Sequence, residues 1–339
     1  MITAGFIGNG KSTNRYHLPF LLKAGKFRVK TIYNRSLKQD WAPIAGVAYT
    51  TDLSELLEDP EIDLVVVTTP MEHHYSYAKK ALEAGKHVLL EKPFAKTVAQ
   101  AEELFALAAQ KGVQLQGYQN RRFDSDFLTS LKVIESGRLG NLHEIEMHFD
   151  YDRPEVPHAV EGFSVETSFL YNHGCHTIDQ VVSYFGKPDR VHYDLRQLLG
   201  EGRMNDYFDL DLYYGNLKVS IKSSYFRVKP RPSFVLYGEN GCFIKEGKDR
   251  QEEDLKRFYM PDQADFGLDR PSDYGILTYR SDGQYQEETW VSEVGDYSLF
   301  YEALYESLTG RREPLVQKEH TLTVMEILEE GVRLLEPAK

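Results

Sequence analysis

Two short runs carry residue types that could do chemistry together. Gly8-Asn9-Gly10-Lys11-Ser12-Thr13 directly follows an apolar strand pattern and precedes a helical one. In that setting a Gly-x-Gly turn lets main-chain amides approach a pyrophosphate, and the helix N-terminus behind it favours anionic oxygens. Thr13 stands at the place of a third glycine and is small enough to keep helix and strand close. Lys11 adds a cation, and Ser12 and Thr13 add hydroxyl donors. Alone, Gly-x-Gly describes any tight turn; the order strand, turn, helix marks a dinucleotide site. The second run, Glu91-Lys92-Pro93, ends another strand pattern, where a lysine between carboxylate and proline can be held toward a nicotinamide. Spacing alone equally allows an exposed ion pair there. Thr68-Thr69-Pro70, followed by His73 and His74, ends a further strand pattern. Open α/β sheets bind ligands at the carboxyl ends of their strands, so Thr69, Pro70, His74, Glu91 and Lys92 are candidate cofactor contacts.

The second strand pattern ends at Tyr33-Asn34-Arg35-Ser36. An acidic residue there would bind the adenosine ribose hydroxyls and repel a 2′-phosphate. None is present; Asn34, Arg35 and Ser36 can hydrogen-bond a phosphate and Lys38 is near. The expected cofactor is therefore NADP, with NAD as the alternative if Arg35 only stacks on adenine.

The elements that would position these residues come in two styles. Over the first 120 residues, apolar runs at 2–7, 27–33, 64–68, 87–90 and 113–117 alternate with helical patterns at 17–24, 52–58, 72–84 and 98–110. Alternation of this kind predicts right-handed βαβ units and a parallel sheet. Beyond it, period-two patterns dominate, as in Phe208, Leu210, Leu212, Tyr214, the turn Gly215-Asn216, then Leu217, Val219, Ile221. These predict a mainly antiparallel sheet with helices, so the fold class is an α/β dinucleotide-binding domain (1–120) followed by an α+β domain (121–339). The charged stretch 247–273 reads as a surface excursion, and Gln251-Glu252-Glu253-Asp254 within it as a solvated face without metal-ligand regularity. No metal site is expected.

The chain has 339 residues, a net charge of −12 and two cysteines, with 41% hydrophobic and 27% charged residues. Such length calls for more than one core. The acidic balance disfavours nucleic acid, the short apolar runs disfavour a membrane span, and two cysteines build neither a disulfide framework nor a zinc site. With no basic leader at its start, the chain is expected in the cytoplasm.

Several motifs in order along the chain resemble the Gfo/Idh/MocA oxidoreductase family. They are Gly5-Phe-Ile-Gly8-Asn-Gly10, Thr69-Pro70…His74, Ala81 through Pro93 with Glu-Lys-Pro at its end, Asn120-Arg121-Arg122-Phe123-Asp124, Gly137-Arg-Leu-Gly140, and Gly174-Cys-His176-Thr-Ile-Asp179. A narrower likeness, carried by Tyr118–Asp124, Tyr151–Glu155 and Phe243-Ile-Lys, is to NADP-dependent scyllo-inositol dehydrogenases and their relatives. The resemblance implies a Rossmann domain, an open-faced sheet joining copies into a homodimer or homotetramer, and hydride transfer between NAD(P) and a polyol or sugar carbon. It also implies that Lys92 and His176 face the substrate, Lys92 holding the reacting oxygen and His176 acting as base, a task that suits an imidazole titrating near ~6.5. Asn120 and Arg122 would lie on the nicotinamide side, and Tyr151, Arg153 and His173 would line the substrate pocket. Family members often carry aspartate four residues before the histidine; here it is Asn172. An amide orients but takes no proton, so catalysis by His176 and Lys92 with His173 and Asn172 in support stands beside a second reading, a non-catalytic NAD(P)-binding sensor.

Overall fold

β1 (Ile2–Ile7) is buried at every position, as a strand covered on both faces must be. In the computed structural model, which describes residues 1–36 and 40–335, β1 lies at the centre of a six-stranded parallel sheet. Its neighbours are β2 (Phe27–Tyr33), β3 (Ala48–Thr50), β4 (Leu64–Val67), β5 (His87–Leu90) and β6 (Leu115–Gly117), in the order β3-β2-β1-β4-β5-β6. The order reverses between β1 and β4, the switch point at which such sheets bind dinucleotides. All four side chains of β4 are fully buried. Local signals set the helix ends: the Thr97 hydroxyl accepts the Gln100 N–H at 3.2 Å ahead of helix Val98–Lys111. Gly112 closes that helix at φ +67°, a conformation that costs only glycine nothing.

The second sheet has eight strands: β7 (Leu142–His148), β8 (Arg190–Arg196), β9 (Tyr207–Tyr214), β10 (Leu217–Ser224), β11 (Phe234–Gly238), β12 (Gly241–Lys245), β13 (Gly275–Ser281) and β14 (Gln284–Trp290). Their order is β14-β13-β12-β11-β7-β10-β9-β8, antiparallel throughout except where β10 runs parallel to β7. One face is apolar. Leu210 and Leu212 pair with Ile221 and Val219 across the β9/β10 hairpin, all four fully buried. Phe127 and Leu131 of helix Ser125–Glu135 and Val181 and Phe185 of helix Cys175–Phe185 lie over this face. The other face carries a charge ladder, with Lys218 2.6 Å from Glu144 and Lys222 3.7 Å from both Glu146 and Asp209.

Among the described residues the chain forms two units, the first within 1–119 with 253–264 and 297–325, the second 120–252 with 265–296 and 326–335. Two segments C-terminal to residue 121 thus belong to the dinucleotide-binding unit. The expectation for 247–273 needs correction. Gln251 and Leu255 are fully buried, and Asp249 and Asp254 nearly so. The Asp249 carboxylate accepts the Ser125 and Gln251 main-chain N–H groups at 2.7 and 2.8 Å. It serves as a cap for the helix beginning at Ser125, a task that no local composition reveals. β3 and β8 were not anticipated: β3 has three residues, and β8 is an edge strand whose charged positions hide its period. Among the described residues no helix is long and apolar enough to cross a membrane, and no three His, Cys, Asp or Glu side chains form a metal-binding group.

Candidate active site

In the first unit the turn after β1 has the stereochemistry of a phosphate cradle. Gly8 adopts φ +116°, and a Cβ there would sit 2.6 Å from the Thr68 hydroxyl. A Cβ on Gly10 would meet nothing within 4 Å, so open space lies where a pyrophosphate would approach. The Thr13 hydroxyl is fully buried, donates to the Gly8 carbonyl at 2.8 Å and pairs with Thr68 at 2.7 Å, which makes it a packing residue of the turn. Asn9 is fixed by the Asn14 amide at 2.9 Å, and Lys11 is exposed at the head of a helical run that begins with a π-helical turn, Ser12–His17. π-Turns recur at functional sites, and the second one in this chain, Leu170–Gly174, leads directly into His176.

A cleft of about 130 Å³ opens beside the cradle, lined by Gly8, Asn9, Gly10, Asn34, Arg35, Thr69 and Pro70 together with Tyr33, His73 and Tyr77. The switch point of the sheet thus gathers seven of the predicted cofactor residues from three strand ends. Arg35 and Ser36 are exposed, and the Asn34 amide donates to the Ser36 carbonyl at 2.7 Å, shaping this turn. Lys38 lies outside the described residues. His73, Tyr33 and Tyr77 were not among the predicted contacts; a histidine next to His74 and two tyrosines at strand and helix positions carry no signal of their own.

His74 and Glu91 take other places than expected. The two ring nitrogens of His74 each lie 2.8 Å from a main-chain carbonyl, those of Pro93 and Thr69. Burial pushes its pKa down, against both carbonyls and the charge of Glu91. With both nitrogens on the backbone, His74 ties the segment after β4 to the turn after β5, and no nitrogen is left for a cofactor. Glu91 points inward. It accepts the Lys92 main-chain N–H at 2.8 Å and the Nε2 of His17 at 3.1 Å, and it bonds the Ser12 hydroxyl; His17 Nδ1 in turn pairs with the Tyr301 hydroxyl at 2.6 Å. Ser12 is thereby engaged from behind the cradle. Burial alone would raise the Glu91 pKa, but the hydrogen bond and charge of His17, the Lys92 ammonium and the Ser12 hydroxyl outweigh it and hold the acid at about 2. Lys92 itself is half-buried, and its peptide bond to Pro93 is cis.

The unfolded chain takes up this proton near 4.5 and the folded protein only near 2. The stability contributed by the ionised Glu91 is therefore complete above the first value and is lost as pH falls toward the second. We expect Glu91→Gln to remove about 3 kcal/mol of the pH-dependent stability, at ~1.4 kcal/mol per unit. Urea midpoints of both proteins at pH 5 and pH 3 check this; equal losses in the two would refute it.

In the second unit His176 heads helix Cys175–Phe185 and is 8% exposed. Asn172 lies one turn earlier, where its amide donates to the carbonyls of Glu166 and Ser168 at 2.9 and 3.0 Å, bracing the π-turn. Arg122 is bound in a bidentate ion pair with Asp179, 2.7 Å to each oxygen, both side chains buried. Asn120, also buried, begins the same short turn. Arg153 is exposed and pairs with Glu155 at 3.3 Å. Tyr151 and His173 come together: the Tyr151 hydroxyl is 2.9 Å from His173 Nδ1, and the Tyr225 hydroxyl, from the end of β10, is 3.0 Å from Nε2. Tyr225 was missed because it reads as one more apolar strand residue.

A doubly wound sheet with a phosphate cradle at its switch point, joined to a sheet unit bearing a histidine-headed helix, defines a nicotinamide-dinucleotide-binding oxidoreductase. The chain belongs to the Gfo/Idh/MocA oxidoreductase family. Residues 2–119 match the model for its NAD-binding Rossmann fold and 132–335 that for its C-terminal alpha/beta domain. Among curated proteins, the uncharacterized oxidoreductase YhhX of Escherichia coli is 46% identical over 342 residues, 100% of this chain and 98% of that one. The scyllo-inositol 2-dehydrogenase (NADP(+)) IolW of Bacillus subtilis is 34% identical over 97% of this chain and 92% of its own. Among solved structures, an oxidoreductase from Bacillus cereus superposes with a TM-score of 0.94 at 45% identity, covering 98% of this chain and 96% of that one.

Proposed function

We propose that this oxidoreductase is an NADP-preferring dehydrogenase or reductase acting on a CH–OH carbon of a cyclic polyol or sugar. The observation that carries the reading is the presence of both Lys92 after β5 and His176 at the head of its helix. When bound, NADP supplies the hydride acceptor or donor. Lys92 holds and polarises the reacting oxygen, and His176 takes the hydroxyl proton during oxidation and returns it during reduction. The glycine turn and the helical run behind it receive the pyrophosphate. Arg35, exposed at the end of β2 where no acid stands, favours a 2′-phosphate. The IolW relative, named for NADP(+) and scyllo-inositol, supports the same choice of cofactor and substrate class. Tyr237, Ile244 and Ile276 lie exposed on the sheet of the second unit, and we assign that face to contact between copies of the chain in a cytoplasmic dimer or tetramer. The sensor reading draws on one observation, the backbone-bound amide of Asn172 in place of a carboxylate.

A cofactor-reduction screen with NAD and NADP against inositols, aldoses and sugar acids tests the proposal. At least one cyclic polyol or sugar should turn over, with NADP favoured in kcat/KM. Arg35→Ala should lower that preference about tenfold or more, the order expected for a charge-assisted hydrogen bond. A preference for NAD would overturn the argument from Arg35. NADPH binding with silence on every polyol and sugar would favour the sensor.

A further inference from the structure

The Tyr151–His173–Tyr225 chain has no place in the steps above. An imidazole paired at both nitrogens with phenols, at 2.9 and 3.0 Å, is an unusual way to use a half-buried histidine. Ring contacts lock the arrangement: His173 lies 4.9 Å from the rings of Tyr151 and Phe169, and Phe169 lies 4.1 Å from Tyr225. Burial pushes the Tyr151 phenol well above its ordinary range and Tyr225 to about 12, so both remain hydroxyls. A neutral imidazole has one donor and one acceptor, and each hydroxyl has both. If Tyr151 donates to Nδ1, its oxygen is left as an outward acceptor. If Nδ1–H donates to Tyr151, its O–H is left as an outward donor. The two states differ only by protons moving along the chain, with no change in net charge. Tyr225 is 4% exposed, whereas Tyr151 is partly open. The Lys248 ammonium lies 5.0 Å from the Tyr151 ring, anchored by donating to the Asp150 carbonyl at 2.7 Å. His173 lies three residues before His176, on the π-turn that Asn172 braces, and it brings the two phenols to that element.

We propose that Tyr151 binds a substrate hydroxyl beside the reacting carbon, with His173 and Tyr225 as positioning residues that aim its hydroxyl and set its polarity. A carboxylate at position 172 could only accept from such a hydroxyl. The tyrosine–histidine–tyrosine unit accepts or donates as the ligand requires, and it selects neutral polyhydroxylated rings over analogues lacking that oxygen. This rests on the polyol reading of the site.

The test compares myo-inositol and scyllo-inositol with their monodeoxy analogues, using wild type, Tyr151→Phe and Tyr225→Phe. For one deoxy position the wild-type enzyme should lose about tenfold in kcat/KM, the size of one hydrogen bond at ~1.4 kcal/mol per decade. In Tyr151→Phe that penalty should vanish, since the partner is gone. In Tyr225→Phe the penalty should shrink, and the loss should fall on KM rather than kcat, because aim and not chemistry is disturbed. A structural role would lower full and deoxy substrates equally, and that result overturns the proposal while leaving the polyol reading intact. If wild type oxidises neither inositol nor any sugar, the polyol reading fails and the proposal falls with it.

Discussion

His176→Ala should lower turnover by about 10²–10⁴-fold, the range by which positioned acid–base groups accelerate proton transfer. The substitution shortens a side chain at the head of a helix and leaves the cradle, in the other unit, untouched. Titration calorimetry should therefore find NADPH affinity unchanged while kcat collapses. Lys92→Ala should give a loss of similar order for a different reason: the developing charge on the reacting oxygen loses its cation. The two variants differ in pH dependence. Removing His176 should flatten the limb of the profile that reports the base, and removing Lys92 should lower the whole profile. Turnover unchanged in His176→Ala on a good substrate would sink the assignment of the base and make Asn172 and His173 the groups to examine.

Asp179→Ala should cost about 3–5 kcal/mol of stability, the penalty for leaving a buried charge without its partner. Arg122 and Asp179 face each other through two 2.7 Å bonds, with side chains 7% and 2% exposed. Truncating the acid strands a guanidinium that cannot lose its proton. Replacing both residues together by apolar side chains should cost much less, since no charge remains to be desolvated. Urea midpoints of the single and double variants measure the difference; equal losses would refute this account. Activity should fall as well, because Asp179 lies on the helix headed by His176 and its bonds to the 120–123 turn fix that helix in rotation. Asp179 is thus a structural partner, and Arg122 is its counterion before it is anything else.

Legibility differed between residues that work through the backbone and those that work through distant side chains. Gly8 and Gly10 were readable because a tight turn and an open approach demand glycine wherever they occur, and the strand before them and helix after them are periodic in sequence. Thr97 and Gly112 bound the helix Val98–Lys111 for the same local reason. His17 was not readable. It pairs with Glu91 74 residues away and with Tyr301 284 residues away, and nothing near it in sequence records either partner. Glu91 was legible as part of a motif, but the direction of its side chain was not. Asp249 looked like one more charge in a solvated run until the helix start at Ser125 was found to need its carboxylate.

The sequence by itself determined the two kinds of sheet and the family, because both are written in periodicities and short motifs that local chemistry enforces. Tertiary structure decided how the charged and polar groups are spent. It turned Glu91 and His74 toward the protein, gave Arg122 to Asp179, set Asn172 to bracing a turn, and joined Tyr151, His173 and Tyr225 into one hydrogen-bonded unit. Burial makes an unpaired polar group costly, which favours packings in which such groups find partners. Which partners they find depends on the packing of segments far apart in the chain.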